Sequence, residues 1–157
     1  MNDNQKLIVK PANTFYEESE YVYSMKRQPR GYCMIINNYK GNNEQIFSYR
    51  AGSIIDRQSL EFVFKQLGFE VIAHENLNAH DMKLKCFELS KDKKMKEHDG
   101  LVVILLSHGD NGKINGVDGK SVEIEDLLEY FNTDECDYLA GKPKMFFVSA
   151  CRGSKSE

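Results

Sequence analysis

The sequence predicts an α/β fold in which a mostly parallel sheet is flanked by helices on both faces. Short apolar runs typical of buried strands alternate with segments in which apolar residues recur at helical spacing. Residues 101–106 are apolar throughout, as expected for a strand that is covered on both faces. Because parallel neighbours need a crossover connection and a helix supplies it, this alternation favours parallel pairing.

The predicted elements follow one another from residue 32 onward. The predicted strands cover residues 32–37, 69–73, 101–106 and 145–149. The predicted helices are marked by three apolar sets, in chain order Leu60, Val63, Phe64 and Leu67, then Met82, Cys86 and Leu89 within residues 80–90, then Ile124, Leu127, Leu128 and Phe131. Ser53 and Ser121 are the expected N-caps of the first and third helices, and Gly68 is expected to end the first.

The domain organisation predicted from the sequence is simple. Residues 1–30 have no sustained periodicity and are predicted to be a lead-in segment or linker, in which residues 21–23 can pair on a sheet edge. Residues 31–157 are expected to form one domain, since the chain of 157 residues has ordinary single-domain size. Asn-Gly and Asp-Gly pairs between Gly112 and Gly119 predict a tight hairpin.

Composition and charge exclude several classes of function. The net charge is −3, from 21 basic and 24 acidic residues spread over the chain, so the sequence lacks the basic field that nucleic acids require. The longest uncharged apolar run is too short for a membrane span, and residues 1–30 lack the apolar stretch of a signal peptide. We therefore expect an intracellular, cytoplasmic protein with no nucleic-acid or membrane partner.

The four cysteines are widely separated, and a chain of this size does not need disulfides, so we expect reduced thiols. Cys33 and Cys86 lie on predicted apolar faces and are expected in the core, whereas Cys136 lies in a polar stretch and is expected to be exposed. The sequence has no Cys-x-x-Cys pair and no closely spaced Cys/His set, so we expect no metal and no cofactor. Three histidines have no apparent partner in the sequence and receive no role: His74, His80 and His98.

His108 and Cys151 are predicted to lie together at one edge of the sheet. Each follows a predicted strand, at residues 101–106 and 145–149, and residues beyond the carboxyl ends of parallel strands collect at the same edge. An imidazole beside a thiol can take its proton and create a nucleophile for acyl transfer. The main-chain amides of Gly109 and Cys151 can stabilise the oxyanion that forms. In the alternative interpretation, Cys151 is a small core residue and His108 is simply solvated.

Several motifs resemble one protein family. Residues 149–153 are Ser-Ala-Cys-Arg-Gly, which resembles the caspase signature Gln-Ala-Cys-Arg/Gln/Gly-Gly with its histidine upstream. Four more stretches resemble caspase large subunits: Pro-Arg-Gly-Tyr-Cys-Met-Ile-Ile-Asn-Asn at 29–38, Arg-Ala-Gly-Ser-Ile-Ile-Asp at 50–56, Leu-Leu-Ser-His-Gly-Asp at 105–110 and Gly-Lys-Pro-Lys-Met-Phe-Phe at 141–147. They follow the family's order over about residues 21–153. The beginning of this region looks most like the initiator caspases that carry death-effector prodomains.

The resemblance implies a large catalytic subunit at residues 31–157 of a cysteine endopeptidase that cleaves after aspartate in apoptotic or inflammatory signalling. Cys151 would be the nucleophile and His108 the general acid/base, with Gly109 and Cys151 as oxyanion donors. Arg50 would bind the substrate aspartate, for which the bidentate fork of a guanidinium is suited. The main-chain carbonyl of Ser48 would orient the histidine, a role that does not depend on its side chain.

Two features depart from the family pattern. Ser149 stands where the family has Gln as a second donor to the substrate aspartate, and a Ser side chain is too short to reach that point without a water. The small subunit, which in the family completes the sheet and the substrate pocket, is absent from this sequence. The resemblance therefore implies a caspase small subunit as partner, in a dimer of large/small heterodimers, with protein substrates that carry Asp at the cleavage site.

Two other functions compete with the peptidase. A catalytically incomplete homologue that binds and regulates caspases would also explain Ser149 and the absent small subunit. A flavodoxin-like nucleotide or signalling module shares the fold class, but the first strand is followed by residues 37–43, Asn-Asn-Tyr-Lys-Gly-Asn-Asn, and not by a glycine-rich phosphate loop. The retained Cys151, His108 and Arg50 favour the peptidase.

Overall fold

The computed structural model of the chain describes residues 7–14, 19 and 21–150. The strands in chain order are β1 (Gly31–Asn37), β2 (Glu70–Glu75), β3 (Gly100–Leu106), β4 (Gly109–Asp110), β5 (Lys113–Asn115), β6 (Ser121–Glu123) and β7 (Lys144–Ser149). The helices are α1 (Ser53–Gln66), α2 (Ala79–Ser90) and α3 (Ile124–Glu129), with short 3₁₀ helices at Lys93–Glu97 and Asp137–Leu139. Within this described part, no helix combines the length and apolar character that crossing a membrane requires.

The main sheet has four parallel strands in the order β2-β1-β3-β7. The register pairs Asn37 at the end of β1 with Leu106 of β3, and Leu106 with Ser149 of β7. The carboxyl ends of three neighbouring strands are therefore level with one another. This sheet confirms the α/β fold class and the four predicted strands, whose observed bounds differ from the predicted ones by one or two residues.

Two apolar layers cover the sheet, one on each face, because side chains of a strand alternate between faces. Every residue of β1 and β3 is buried. On one face, α1 packs against buried strand residues through Leu60 and Phe64. On the other face, α2 and α3 contribute Met82, Cys86 and Leu127. Each fully buried aliphatic side chain stabilises the fold by about 1.5–3 kcal/mol, so these two strands carry much of the core.

Both predicted N-caps are wrong. Gly52 precedes α1 with a left-handed φ of 83°, and Ser53 is already the first helical residue. The Ser53 hydroxyl donates to the Asn37 side chain and accepts from the Arg50 guanidinium, so its hydrogen bonds go to the end of β1 and the loop after it and not to the helix. Ser121 begins β6, and α3 starts after Glu123, since the chain stays extended until residue 123. The expected end of α1 is confirmed, because the helix stops at Gln66 and Gly68 adopts a left-handed φ of 84°.

The predicted hairpin is confirmed as part of a small antiparallel sheet in the order β4-β5-β6. The first turn lies at Asn111 and Gly112, whose φ angles of 47° and 83° suit the two-residue turn that Asn-Gly favours. A second connection, at residues 116–120, leads to β6. This sheet begins directly after β3, so it lies beside the carboxyl end of the main sheet.

The prediction that residues 21–23 pair on a sheet edge is wrong, and Tyr21 is 87% exposed. The chain enters the sheet at its middle, because the strand that follows, β1, lies between β2 and β3. The Arg27 main-chain N–H donates to the Asp99 carboxylate over 2.8 Å, and the Asp99 N–H donates to the Arg30 carbonyl oxygen over 2.7 Å. These bonds hold residues 27–30 at the amino end of β3.

The cysteines of the core are as predicted, with one exception. Cys33 and Cys86 are buried, and burial raises the pKa of each thiol to about 12, so both stay protonated. Cys136 is also buried, which contradicts its predicted exposure. Its thiol donates to the Ser90 carbonyl oxygen at the end of α2, over 3.2 Å. The polar sequence around Cys136 therefore faces solvent while the thiol itself closes a gap between α2 and the segment after α3.

His98, which received no role from the sequence, is buried and packs edge-to-face on the Tyr32 ring with centroids 4.5 Å apart. Its Nδ1 atom is buried without a hydrogen-bond partner among the described residues. Burial lowers the pKa of His98 below its ordinary value of 6.5. The charged groups that act on the ring are Glu70, Asp92 and Glu97, which raise the pKa, and Lys142, which lowers it.

Acidification is expected to destabilise the fold through His98. Between its folded pKa and about 6.5, the unfolded chain binds more protons than the folded chain, so the free energy of unfolding rises with pH in that window and reaches its full value above it. Each unit between the two pKa values is worth about 1.4 kcal/mol. Urea unfolding from pH 5 to pH 7.5 should show a steeper rise for the parent than for His98→Phe, which keeps a ring against Tyr32.

The exposed His80 supplies the control, and His80→Gln should retain the slope of the parent. A part of the slope should remain in His98→Phe, because burial also lowers the pKa of His74. Equal slopes in the parent and His98→Phe would show that His98 does not contribute.

Candidate active site

The carboxyl ends of β1, β3 and β7 bring most of the predicted site residues to one edge of the sheet. His108 and Gly109 follow β3, and Ser149 ends β7. The main-chain N–H of Ser107 donates to the Ser149 carbonyl oxygen over 3.2 Å, which continues the pairing of these strands up to the edge. The loop after β1 crosses the same edge and carries Arg50. We call this region, comprising residues 37–50, 107–110 and 149–150, the rim.

His108 is held by two consecutive residues of the loop after β1. Its Nε2 atom lies 2.9 Å from the main-chain oxygen of Ser48 and 3.0 Å from the Ser48 hydroxyl oxygen. Its ring also packs against the buried Phe47 ring, with centroids 4.8 Å apart. Because a carbonyl oxygen can only accept, the short contact requires the hydrogen on Nε2. The neutral imidazole then carries its lone pair on Nδ1, where a general base needs it.

The predicted role of Ser48 through its main chain agrees with this geometry, but its side chain contacts the ring as well. No pattern in the sequence predicts the hydroxyl contact, since a serine in a polar loop is usually solvated. Phe47 is likewise not predicted to contact His108. The one sequence signal for this contact is that an apolar residue stands directly before position 48.

Gly109 lies where no side chain fits. A Cβ atom added there would lie 2.9 Å from the Ala150 Cβ and would also overlap the Lys113 carbonyl oxygen. The Asn115 N–H donates to the His108 carbonyl oxygen over 2.8 Å, so residues 108 and 115 form the hydrogen-bonded type of antiparallel pair. Because the two types alternate, the next pair, Gly109 with Ile114, is non-hydrogen-bonded, and the Gly109 N–H points away from β5. This amide is therefore not used in pairing β4 with β5, as the expected role of an oxyanion donor requires.

Asn38 is a buried polar residue that no pattern in the sequence marks as part of the site. Its side chain donates to the Leu77 and Asn115 carbonyl oxygens, both over 3.1 Å, and accepts from the Leu77 N–H over 2.8 Å. Asn115 in turn donates to the His108 main chain. The Asn38 side chain thus joins three parts of the chain, namely the end of β1, β5, and the segment that follows β2. It supports the backbone that carries His108.

Arg50 is half-buried and bound to the end of β1. Its Nη1 donates to the Asn38 carbonyl oxygen over 3.0 Å and to the Ser53 hydroxyl over 2.9 Å. Ser53 also donates to Asn37, so the guanidinium belongs to a buried polar network. A guanidinium has five N–H donors in a fixed plane. These contacts therefore fix the plane of the fork at the carboxyl end of β1.

The last described residues place the chain next to the catalytic position predicted from the sequence. Ser149 is exposed at the end of β7, and Ala150 lies against Gly109. Cys151 itself lies outside the described residues, so the expected contact between Cys151 and His108 stays a prediction. In the part of the chain that the structure describes, His, Cys, Asp and Glu side chains form no group of three or more that could hold a metal ion.

Comparison with known proteins gives one consistent result. The family model for the caspase domain, peptidase C14, matches residues 30–157. The chain is 39% identical to caspase-8 of Mus musculus over 143 residues, which cover 87% of the chain and 30% of that protein. It is 35% identical to caspase-2 of Gallus gallus, covering 91% of the chain and 34% of that protein, and 36% identical to caspase-6 of Gallus gallus, covering 86% and 44%.

The parallel sheet with helices on both faces agrees with the α/β fold of caspase domains, and His108 and Gly109 follow β3 within it. The match over residues 30–157 places the chain in that family. The chain belongs to the caspase family. It spans less than half the length of the relatives named above.

Proposed function

We propose that this chain is the large catalytic subunit of a cysteine endopeptidase that cleaves peptide bonds after aspartate and acts in apoptotic or inflammatory signalling in the cytoplasm. The observation that carries the proposal is the placement of His108. The contacts of Nε2 with Ser48 leave Nδ1 as the proton acceptor, and Ala150, the neighbour of Cys151, lies against Gly109. Residues 31–157 would form this subunit and residues 1–30 a lead-in segment.

In the proposed reaction, Nδ1 of His108 accepts the proton of the Cys151 thiol, and the sulfur attacks the carbonyl carbon of the substrate. The carbonyl π electrons move to oxygen, and the N–H groups of Gly109 and Cys151 stabilise the oxyanion. The imidazolium then donates its proton to the leaving amine as the C–N bond breaks. Water, deprotonated by His108, attacks the thioester and releases the new carboxyl group and the thiol.

We propose that Arg50 selects the aspartate. A charged bidentate contact to a carboxylate is about twice as strong as a neutral hydrogen bond, so the guanidinium would carry the larger share of the selectivity. Its contacts with Asn38 and Ser53 support this role because they fix the orientation of the fork before substrate binds. Ser149, exposed at the end of β7, would add at most a water-mediated contact.

We propose that a small subunit docks along β7. In the described sheet, β7 is an outer strand, and Phe147 and Val148 expose 50% and 41% of their surface. An outer strand with exposed apolar side chains is unusual for a sheet that functions alone, and pairing with another strand would cover it. Two such large/small pairs would form the active dimer.

The proposed function is tested by assembling the chain with a caspase small subunit and measuring hydrolysis of a fluorogenic peptide with Asp at the cleavage site. We expect activity from the assembled protein, none from the chain alone, and none from assembled Cys151→Ser. Efficient assembly without any hydrolysis would contradict the peptidase and favour a homologue that regulates caspases. Activity of the isolated chain would contradict the need for a small subunit.

Ser149→Gln is expected to sharpen the preference for Asp over Glu about 2- to 13-fold. The longer amide can donate directly to the substrate carboxylate, and one such bond is worth about 0.5–1.5 kcal/mol. The measurement is the ratio of kcat/KM for Asp and Glu peptides on the assembled protein. Ser149→Ala is the matched control and should leave the ratio within about 2-fold of the parent. An unchanged ratio in Ser149→Gln would show that the side chain of residue 149 does not contact the substrate carboxylate.

A further inference from the structure

We propose that Phe47 and the side chain of Ser48 are positioning residues for His108, and that the Ser48 hydroxyl stabilises the protonated ring during the reaction. This inference rests on the proposed function, because it assigns the two residues to the same reaction. It goes beyond the expected role of the Ser48 carbonyl, which any residue at position 48 would supply.

The geometry is that of a hydrogen shared between two acceptors. The carbonyl and hydroxyl oxygens of Ser48 lie 2.9 Å and 3.0 Å from the same ring atom, Nε2. If the hydroxyl donated to an unprotonated Nε2 instead, the carbonyl oxygen would face a lone pair at 2.9 Å, which is repulsive. The hydroxyl therefore accepts, and its own hydrogen points to solvent, since Ser48 is exposed.

Phe47 limits rotation of the ring. It is buried at 2% exposure, and its ring meets the imidazole at an interplanar angle of 61° with centroids 4.8 Å apart. Rotation of His108 about its side-chain bonds would remove this contact and both Ser48 contacts together. The two consecutive residues thus oppose the same movement, one by packing and the other by hydrogen bonding.

The hydroxyl contact matters most when His108 carries a second proton. A hydrogen bond from an imidazolium is about twice as strong as one from a neutral ring, so the hydroxyl favours the state in which His108 has taken the thiol proton. Removing the hydroxyl should therefore slow the chemical step without changing how substrate binds. If Ser48 had a purely structural role, its removal would not slow the chemical step separately from substrate binding.

The test uses the assembled protein with ¹⁵N-labelled histidine. We expect parent His108 to carry its neutral-form hydrogen on Nε2. In Ser48→Ala, we expect solvent exchange of that hydrogen to be about 2- to 13-fold faster, and kcat to fall by a similar factor at unchanged KM. Ser48→Thr, which keeps a hydroxyl, should restore both values. Phe47→Leu should lower kcat and broaden the ring resonances, because the aromatic edge contact is lost.

The control is Ser59→Ala, which removes an exposed hydroxyl bonded within α1 and should change neither measurement. A hydrogen on Nδ1 in the parent, or unchanged exchange and kcat in Ser48→Ala, would overturn the proposal. Failure of Ser48→Thr to restore the values would overturn it as well. An inactive parent would count against the proposed function alone, since the exchange measurement needs no turnover and still decides the role of Ser48.

Discussion

Arg50→Ala is expected to lower kcat/KM for Asp peptides by about 30- to 5000-fold in the assembled protein. Removing one partner of a buried, hydrogen-bonded charge pair typically costs about 2–5 kcal/mol, because the other charge is left without its counterpart. Here the partner left behind is the carboxylate of the substrate. Cleavage of an Asn peptide, which lacks that charge, should fall much less, so the Asp/Asn ratio is the quantity to measure.

Arg50→Lys separates charge from geometry, because lysine keeps the charge and loses the planar fork. We expect it to recover only a small part of the activity. Arg57→Ala is the matched control, since Arg57 is a partly buried arginine of α1 that pairs with Glu61 and Glu75, two residues outside those that define the rim. Thermal unfolding should be recorded for each variant, because Arg50 also binds Asn38 and Ser53. An Asp/Asn ratio that survives in folded Arg50→Ala would rule out this role.

Asn38→Ala is expected to lower the free energy of unfolding by about 3 kcal/mol. The side chain is completely buried, and its loss leaves the Leu77 N–H and two carbonyl oxygens without their partner. Each buried group left unsatisfied costs about 1–3 kcal/mol, partly offset when the surroundings relax. Urea unfolding of the chain measures the effect directly.

Asn43→Ala provides the comparison for Asn38. The exposed side chain of Asn43 accepts from the Gln45 N–H over 2.9 Å, and the main-chain bonds of Asn43 do not depend on that side chain, so its removal should cost less than about 1 kcal/mol. A loss below about 1 kcal/mol for Asn38→Ala would mean that solvent reaches these groups. The amide would then not organise the rim.

The elements that could be predicted from the sequence are those specified by local pattern. The run at residues 101–106 is apolar throughout because β3 is covered on both faces, and the Asn111-Gly112 pair forms the turn that its backbone preferences favour. Failures occurred where a distant contact decides the outcome. The Ser53 hydroxyl is used by Asn37, and Cys136 is buried by a contact with Ser90, 46 residues away.

In the candidate site, too, features specified by local pattern could be predicted and features that depend on distant contacts could not. Motif and strand order predicted that His108 and Gly109 would lie at the rim, and both do. The Ser48 hydroxyl contact and the Asn38 network arise from the folded loop after β1, and the sequence around them is an ordinary polar stretch. No local pattern distinguishes a serine or asparagine that will be used in this way from one that will face water.

The order β2-β1-β3-β7 has a consequence for synthesis of the chain on the ribosome. Both neighbours of β1 are synthesised before residue 107. The second neighbour of β3 is β7, which is synthesised only after residues 107–143 have been translated. At about 5–20 residues per second, the apolar β3 has an open edge for roughly 2 to 7 s. During that time it can pair with another nascent chain. Slower translation of residues 107–143 should therefore increase co-translational aggregation, even though the finished fold is unchanged.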